Sequence, residues 1–275
     1  MRSFDHISGK YFNIDDAKIY CETFGDEKKP VLLFLHGGLG NIEDFNDVIS
    51  ELPDKFSIIG IDSRGHGKST LGSKELTYEL LQKDTELILK RLNITNLTIL
   101  GFSNGGTVAY RLASFTNLKI DRLITIGAPW CNQHIEHLIE AYSKLTSDNW
   151  KKECPSVFES YNRLNPLPEF DTLFRQSVKM ALDVSPTGRP NESVKNISCP
   201  SLIIRGEKDP IVSNSNIVEL SKLVKSAYIL NIPSAGHEAF QDQLELFTRE
   251  LKEFIGLIPR SGRLWSFLPR ESSRG

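Results

Sequence analysis

Apolar residues gather in short runs spread along the chain, at residues 31–35, 57–61, 97–100, 123–126, 201–204 and 228–232. Each run has the length of a strand, and most show no polar alternation. That pattern predicts strands covered on both faces, as in a parallel sheet between helices. Amphipathic stretches lie between the runs; in 77–92, Leu80, Leu81, Ile88 and Leu92 recur at helical spacing. Strand alternating with helix predicts an α/β fold on a mainly parallel sheet. Residues 10–12 and 18–24 read as a leading antiparallel pair, bringing the expected sheet to about eight strands. The sequence contains no internal repeat and no low-complexity tract.

The alternation stops between Trp130 and Ser198. This stretch is rich in Asn, Glu and Lys and reads as helical at 135–145, 155–164 and 170–182, with no β-type run among them. Roughly 65 residues between two strands is too long for a plain crossover. The expected organisation is therefore a core of residues 1–129 and 199–258, a helical cap at 130–198, and a tail at 259–275.

The segments that follow the runs collect reactive residue types. After 31–35 comes His-Gly-Gly-Leu-Gly; after 57–61, Asp-Ser-Arg-Gly-His-Gly-Lys-Ser; after 97–100, Gly-Phe-Ser-Asn-Gly. After 201–204 comes Gly-Glu-Lys-Asp-Pro at 206–210, and after 228–232, Ala-Gly-His-Glu at 235–238. In a parallel sheet these five loops share one edge, outside the carboxyl ends of the strands, where ligands bind. Ser103 stands between two glycines where a strand turns into a helix. Such a turn lifts a serine clear of the backbone and aims the free N–H groups of a helix start at its surroundings. A histidine titrates near neutrality and can take and return a proton, and an aspartate can orient it.

The chain resembles the α/β-hydrolases. The resemblance rests on Gly101-Phe102-Ser103-Asn104-Gly105 as G-x-S-x-G, on the chain order Ser, Asp, His, and on the upstream His-Gly-Gly. It covers about residues 10–256, with the cap region diverging most. It implies Ser103 as nucleophile, His237 as general base and Asp209 as its orienting acid, with Glu207 a nearby competitor. It implies oxyanion donors at the N–H groups of Asn104 and Gly38, with Leu39 as second choice. Leu39, Phe102, Trp130 and Cys131 are candidate pocket residues; His36, Arg64 and His66 are expected to brace loops. The implied activity is hydrolysis of a small carboxylic ester or lactone through an acyl-enzyme. Relatives use the same machinery on carbon–carbon bonds, thioesters and amides, for acyl transfer or perhydrolysis, or as slow small-molecule receptors. Dehalogenases and epoxide hydrolases carry Asp at the position of Ser103, and the polar cap argues against an interfacial lipase.

Composition narrows the partners. The net charge of -2 gives no reason to expect nucleic acid. Cys21, Cys131, Cys154 and Cys199 form no CxxC pair and read as free thiols in a reducing compartment. The first residues carry no apolar signal region, and no run approaches the roughly 20 apolar residues of a membrane span. A cytoplasmic protein acting on a small molecule is expected, its oligomeric state left open. The Gly-rich turn at 36–40 is not followed by G-K-[ST], so it is not a phosphate loop. His134 and His137 are three apart but have no evident third ligand, so neither metal nor cofactor is expected. The tail holds four Arg and one Glu, and is expected to be disordered or vector-derived.

Overall fold

The computed structural model describes residues 2–133 and 136–259. Its eight strands are β1 (Lys10–Ile14), β2 (Ala17–Phe24), β3 (Val31–Leu35), β4 (Ser57–Ile61), β5 (Asn96–Phe102), β6 (Lys119–Ile126), β7 (Ser201–Gly206) and β8 (Ala227–Ile232). They form one sheet in the order β1-β2-β4-β3-β5-β6-β7-β8. β2 pairs antiparallel with β1 and with β4, and all other pairings are parallel. This is the α/β class the apolar runs predict. β5 extends past 97–100 because Gly101 and Phe102 still pair with Thr125 and Ile126.

The strands lack polar alternation because both faces are covered. On β3, Leu33 and Leu35 join one core, with α2 (Tyr78–Arg91), α3 (Asn104–Phe115) and α8 (Asn214–Leu223). Leu32 and Phe34 point the other way, into a second core with α1 (Asn46–Ser50), α9 (Ala239–Asp242) and α10 (Leu244–Phe254). Successive side chains of a strand face opposite sides, so one apolar run feeds two cores.

Between β6 and β7 the chain forms α4 (Glu136–Ser143), α5 (Ser147–Glu153), α6 (Pro155–Leu164) and α7 (Phe170–Ala181), with no strand among the described residues. α5 has no counterpart in the sequence reading. It buries none of its residues, so it has no apolar stripe; the Thr146 side chain caps its start. α6 then begins with Pro155 at its first position, where the missing N–H costs nothing. Edge-to-face and tilted contacts among the rings of Trp150, Phe158, Tyr161, Phe170 and Phe174 hold α5, α6 and α7 together. Asn165 ties them to the sheet edge: its Nδ2 donates to the carbonyls of Gly65, Gly67 and Ser69 at 3.2, 3.1 and 2.9 Å.

Candidate active site

Ser103 sits at the turn from β5 into α3 with φ 49° and ψ -117°, a conformation costly for any residue with a side chain. Its N–H donates to Ile126 O at 2.8 Å and its carbonyl accepts from Thr107 N at 3.0 Å, so the turn is pinned on both sides. The flanking glycines are a matter of space. A Cβ on Gly101 would lie 2.5 Å from Gly105 O, and one on Gly105 would lie 2.5 Å from His36 O and overlap Leu35 O.

The Ser103 Oγ lies 3.0 Å from His237 Nε2. On the other side of the ring, His237 Nδ1 lies 3.1 Å from both carboxylate oxygens of Asp209. Asp209 Oδ1 also accepts from the N–H groups of Ile211 at 2.8 Å and Val212 at 3.2 Å. Burial opposes ionisation of Asp209, but His237 and these two N–H groups outweigh it and hold the carboxyl below the usual range. The loops after β7 and β8 meet backbone to backbone: a Cβ on Gly206 would lie 2.5 Å from Ala235 O. That contact brings residues 209 and 237 together. Glu207 points elsewhere; its Oε2 accepts from Ser234 N at 2.8 Å.

Two residues at this site carried no signal in the sequence. Gly127, just after β6, has φ 53°, and a Cβ there would come within 2.9 Å of the His237 ring and 3.0 Å of Asp209 Oδ2. Tyr78, at the start of α2, donates its hydroxyl to Asn104 Oδ1 at 2.7 Å. Neither belongs to a local pattern, and each matters only through the packing of distant segments.

The His-Gly-Gly-Leu loop lies against the serine turn. A Cβ on Gly37 would lie 2.8 Å from the Phe102 ring and 3.4 Å from Ser103 Cβ, and one on Gly38 would lie 2.7 Å from Asn104 Nδ2. The N–H groups of Gly38, Leu39 and Asn104 have no partner among the described residues. Leu39 is buried with φ 61°. His36 is fully buried; its Nδ1 lies 2.7 Å from Gly37 O, and its Nε2 accepts from Ser63 N at 2.9 Å. Burial lowers the pKa of this ring and pushes His66 down to about 3, so both are neutral. Arg64 is buried in a two-bond pair with Asp84 at 2.8 and 2.9 Å.

The remaining candidates divide. The Phe102 ring packs 5.0 Å from that of His237 and backs the imidazole. Trp130 and Cys131 are buried against α8, where Trp130 Nε1 donates to Asn216 O at 3.0 Å and Asn216 Nδ2 lies 3.6 Å from Cys131 Sγ. The side chains of His134 and His137 lie outside the described residues, as does the tail from residue 260 on. A cavity of about 620 Å³ opens elsewhere, between α2, α3 and residues 184–193; Ser103, Asp209 and His237 do not line it.

Comparison with known proteins agrees with this fold. The sequence profile described as alpha/beta hydrolase fold matches residues 30–153. The AB hydrolase superfamily protein YisY of Bacillus subtilis is 24% identical over 273 residues, covering 90% of this chain and 98% of that one. Epoxide hydrolase 3 of Xenopus tropicalis is 22% identical, covering 91% and 78%. The solved esterase EaEST of Exiguobacterium antarcticum superposes with a TM-score of 0.72 at 23% identity, covering 90% of this chain and 99% of that one. The architecture is that of a hydrolase fold. The chain has the α/β-hydrolase fold, and its residues 30–153 match the profile of that family. Among the described residues no helix is long and apolar enough to cross a membrane.

Proposed function

We propose that the chain is a serine hydrolase acting on a small carboxylic ester or lactone through an acyl-enzyme. The observation that carries this reading is the hydrogen-bonded line Ser103 Oγ, His237 Nε2, His237 Nδ1, Asp209, at 3.0 and 3.1 Å. Asp209, held ionised, accepts a hydrogen bond from Nδ1–H and so leaves Nε2 as the basic nitrogen. His237 takes the Ser103 proton as Oγ attacks the substrate carbonyl. The tetrahedral oxyanion receives the N–H groups of Asn104 and Gly38, each worth roughly a factor of 100 to 1000 in rate. His237 then protonates the leaving alcohol. Water, activated by the same ring, releases the acid and restores Ser103. The helical segment 130–198 serves as a cap that shapes the pocket. The residue at the turn is Ser, not Asp, which favours acyl transfer to water over epoxide opening.

A fluorophosphonate tests this without knowledge of the substrate. Intact mass and peptide mapping are expected to show one adduct, on Ser103, and Ser103→Ala is expected to lose both the adduct and hydrolysis of a p-nitrophenyl ester. An adduct that persists in Ser103→Ala would remove Ser103 from the mechanism.

A further inference from the structure

Tyr78 is the first residue of α2 and is fully buried. Its backbone is fixed on both sides. Leu76 N donates to Gln176 Oε1 of α7 at 2.8 Å, and Glu79 N donates to Thr187 O at 3.0 Å. The Thr77 side chain caps the helix start, accepting from Leu80 N at 3.0 Å. The phenol is thereby delivered to one place, where its hydroxyl donates to Asn104 Oδ1 at 2.7 Å. Burial pushes the Tyr78 pKa up to about 12, so at neutral pH the hydroxyl keeps the hydrogen it donates.

That bond fixes how the Asn104 amide is turned. With Oδ1 on the phenol, Nδ2 points to the loop after β3. A Cβ on Gly38 would lie 2.7 Å from Nδ2 and 3.6 Å from Cγ of Asn104. Among the described residues, neighbours in the chain aside, no other atom comes within 4 Å of that position. Nδ2 therefore borders the open side of Gly38. The N–H groups of Gly38, Leu39 and Asn104 have no partner among the described residues. The same loop touches the nucleophile's turn, since a Cβ on Gly37 would lie 3.4 Å from Ser103 Cβ. An amide is a dipole. Its NH2 end favours negative charge beside Gly38; its carbonyl end in that place would oppose the charge and compete for the free N–H groups.

We infer that Tyr78 is a positioning residue for the hydrolysis: it locks the Asn104 amide with Nδ2, not Oδ1, toward Gly38, so that Nδ2 supports the developing oxyanion and the oxyanion site does not fill itself. The inference deepens the hydrolase reading and rests on it for the reaction, though not for the orientation of the amide. Without the phenol hydrogen, Oδ1 has no donor on the α2 side. Turned about, it meets backbone N–H groups that lack an acceptor, and an unsatisfied acceptor beside unsatisfied donors pairs with them. Tyr78 acts only through Asn104 and does not touch the substrate.

The test is a double-mutant cycle of Tyr78→Phe and Asn104→Leu, assayed with p-nitrophenyl butyrate and a fluorophosphonate. Tyr78→Phe keeps the ring and removes only the hydroxyl. It is expected to lower kcat and the labelling rate by about tenfold or more with KM nearly unchanged, because the dipole beside the oxyanion is reversed. Asn104→Leu loses a donor but has no oxygen to turn, so adding Tyr78→Phe to it is expected to cost no further activity. Asn104→Asp presents an oxygen to Gly38 whichever way it turns, and is expected to lose at least as much as Tyr78→Phe. An equal loss from Tyr78→Phe in the Asn and Leu backgrounds would make Tyr78 a packing residue and overturn the inference, as would wild-type kcat in Tyr78→Phe. Exchange of the Gly38 N–H, read by NMR, gives an answer independent of turnover. It is expected to slow in Tyr78→Phe, where Oδ1 accepts that hydrogen, and to be fast again in the double variant. If the wild type cleaves no ester and Ser103 takes no fluorophosphonate, the hydrolase reading fails. Slowed exchange in Tyr78→Phe then retains the lock on the amide, and unchanged exchange removes it. If Tyr78→Phe does not fold, Asn104→Asp against Asn104→Leu decides: the lock requires Asn104→Asp to be the slower, and equal rates overturn it.

Discussion

At Ser103 the backbone holds a φ of 49°, and two glycines make room for it in different ways from the glycines opposite. A methyl on Gly105 would meet backbone first, the carbonyl oxygens of Leu35 and His36. A methyl on Gly38 would meet only the end of the Asn104 side chain. Gly105→Ala is therefore expected to cost about 3 kcal/mol or more, because neither the start of α3 nor the end of β3 can give way. Gly38→Ala is expected to fold with an almost unchanged urea midpoint but to acylate more slowly, because a shifted loop misplaces an oxyanion donor. Denaturation and fluorophosphonate labelling rates together separate the two. If Gly38→Ala loses stability as severely as Gly105→Ala, the loop is structural and not a donor. The glycines at 101, 105 and 38 were legible in the sequence because they fall in short motifs. Gly127 was not, because it clears space for a ring 110 positions away in the chain. Tyr78 read only as the start of a helix, since its bond to Asn104 joins two segments that the sequence does not relate.

The strands were legible as elements because each fills two cores and so stays apolar throughout. The helices between β6 and β7 were less so. α7 buries Leu173, Phe174, Ser177 and Met180 on one side and shows helical spacing, whereas α5 buries nothing and shows none. Spacing alone left Asp209 and Glu207 both plausible; the resemblance singled out Asp209, and the loop after β7 turns Asp209 and not Glu207 toward His237. The attachment of the helical segment was wholly hidden in the sequence. One amide, Asn165 Nδ2, donates to three carbonyls of the loop after β4, and its Oδ1 accepts from Leu167 N at 3.0 Å. Asn165→Leu keeps the size but removes every one of these bonds and buries the carbonyls unpaired. It is expected to destabilise the protein by about 2 kcal/mol. Hydrogen exchange is expected to rise in residues 155–181 before it rises in the sheet. Uniform loss across the sheet and the segment alike would mean that Asn165 stabilises the core and does not serve as a tether.

Across the whole molecule, the N-terminal segment, the turn after β3 and the loop after β4 are joined by one buried ionic cluster. His6, 1% exposed, lies 2.7 Å from Glu43 through Nδ1 and 2.8 Å from Asp62 through Nε2. Asp62 also accepts from Ile42 N at 3.1 Å and Lys68 N at 2.7 Å, so it links all three segments beside the Gly38 loop. Burial alone would lower the pKa of His6, but hydrogen bonds to Asp62 and Glu43 outweigh it and raise the ring to about 9. A folded value above the unfolded 6.5 means that this stabilisation is full below pH 6.5 and is lost as pH rises through about 9. The linked energy is roughly 3 kcal/mol. Asp44, half-buried near Glu238, Asp62 and Glu43, is raised chiefly by loss of solvation to about 7, so its contribution falls away earlier, as pH rises from 3.8 through 7. Asp209 has the opposite sign: its lowered value contributes stability above the unfolded pKa that is lost on acidification. The two losses on raising the pH occupy different windows, which makes them separable. His6→Gln is expected to start less stable and to flatten the decline between pH 6.5 and 9, leaving the decline below 7 intact. Asp44→Asn is expected to do the reverse. Urea unfolding of the three proteins from about pH 3.8 to above 9 reads both slopes. A His6→Gln protein that declines between pH 7 and 9 as steeply as the wild type would show that His6 does not carry the charge that joins these segments.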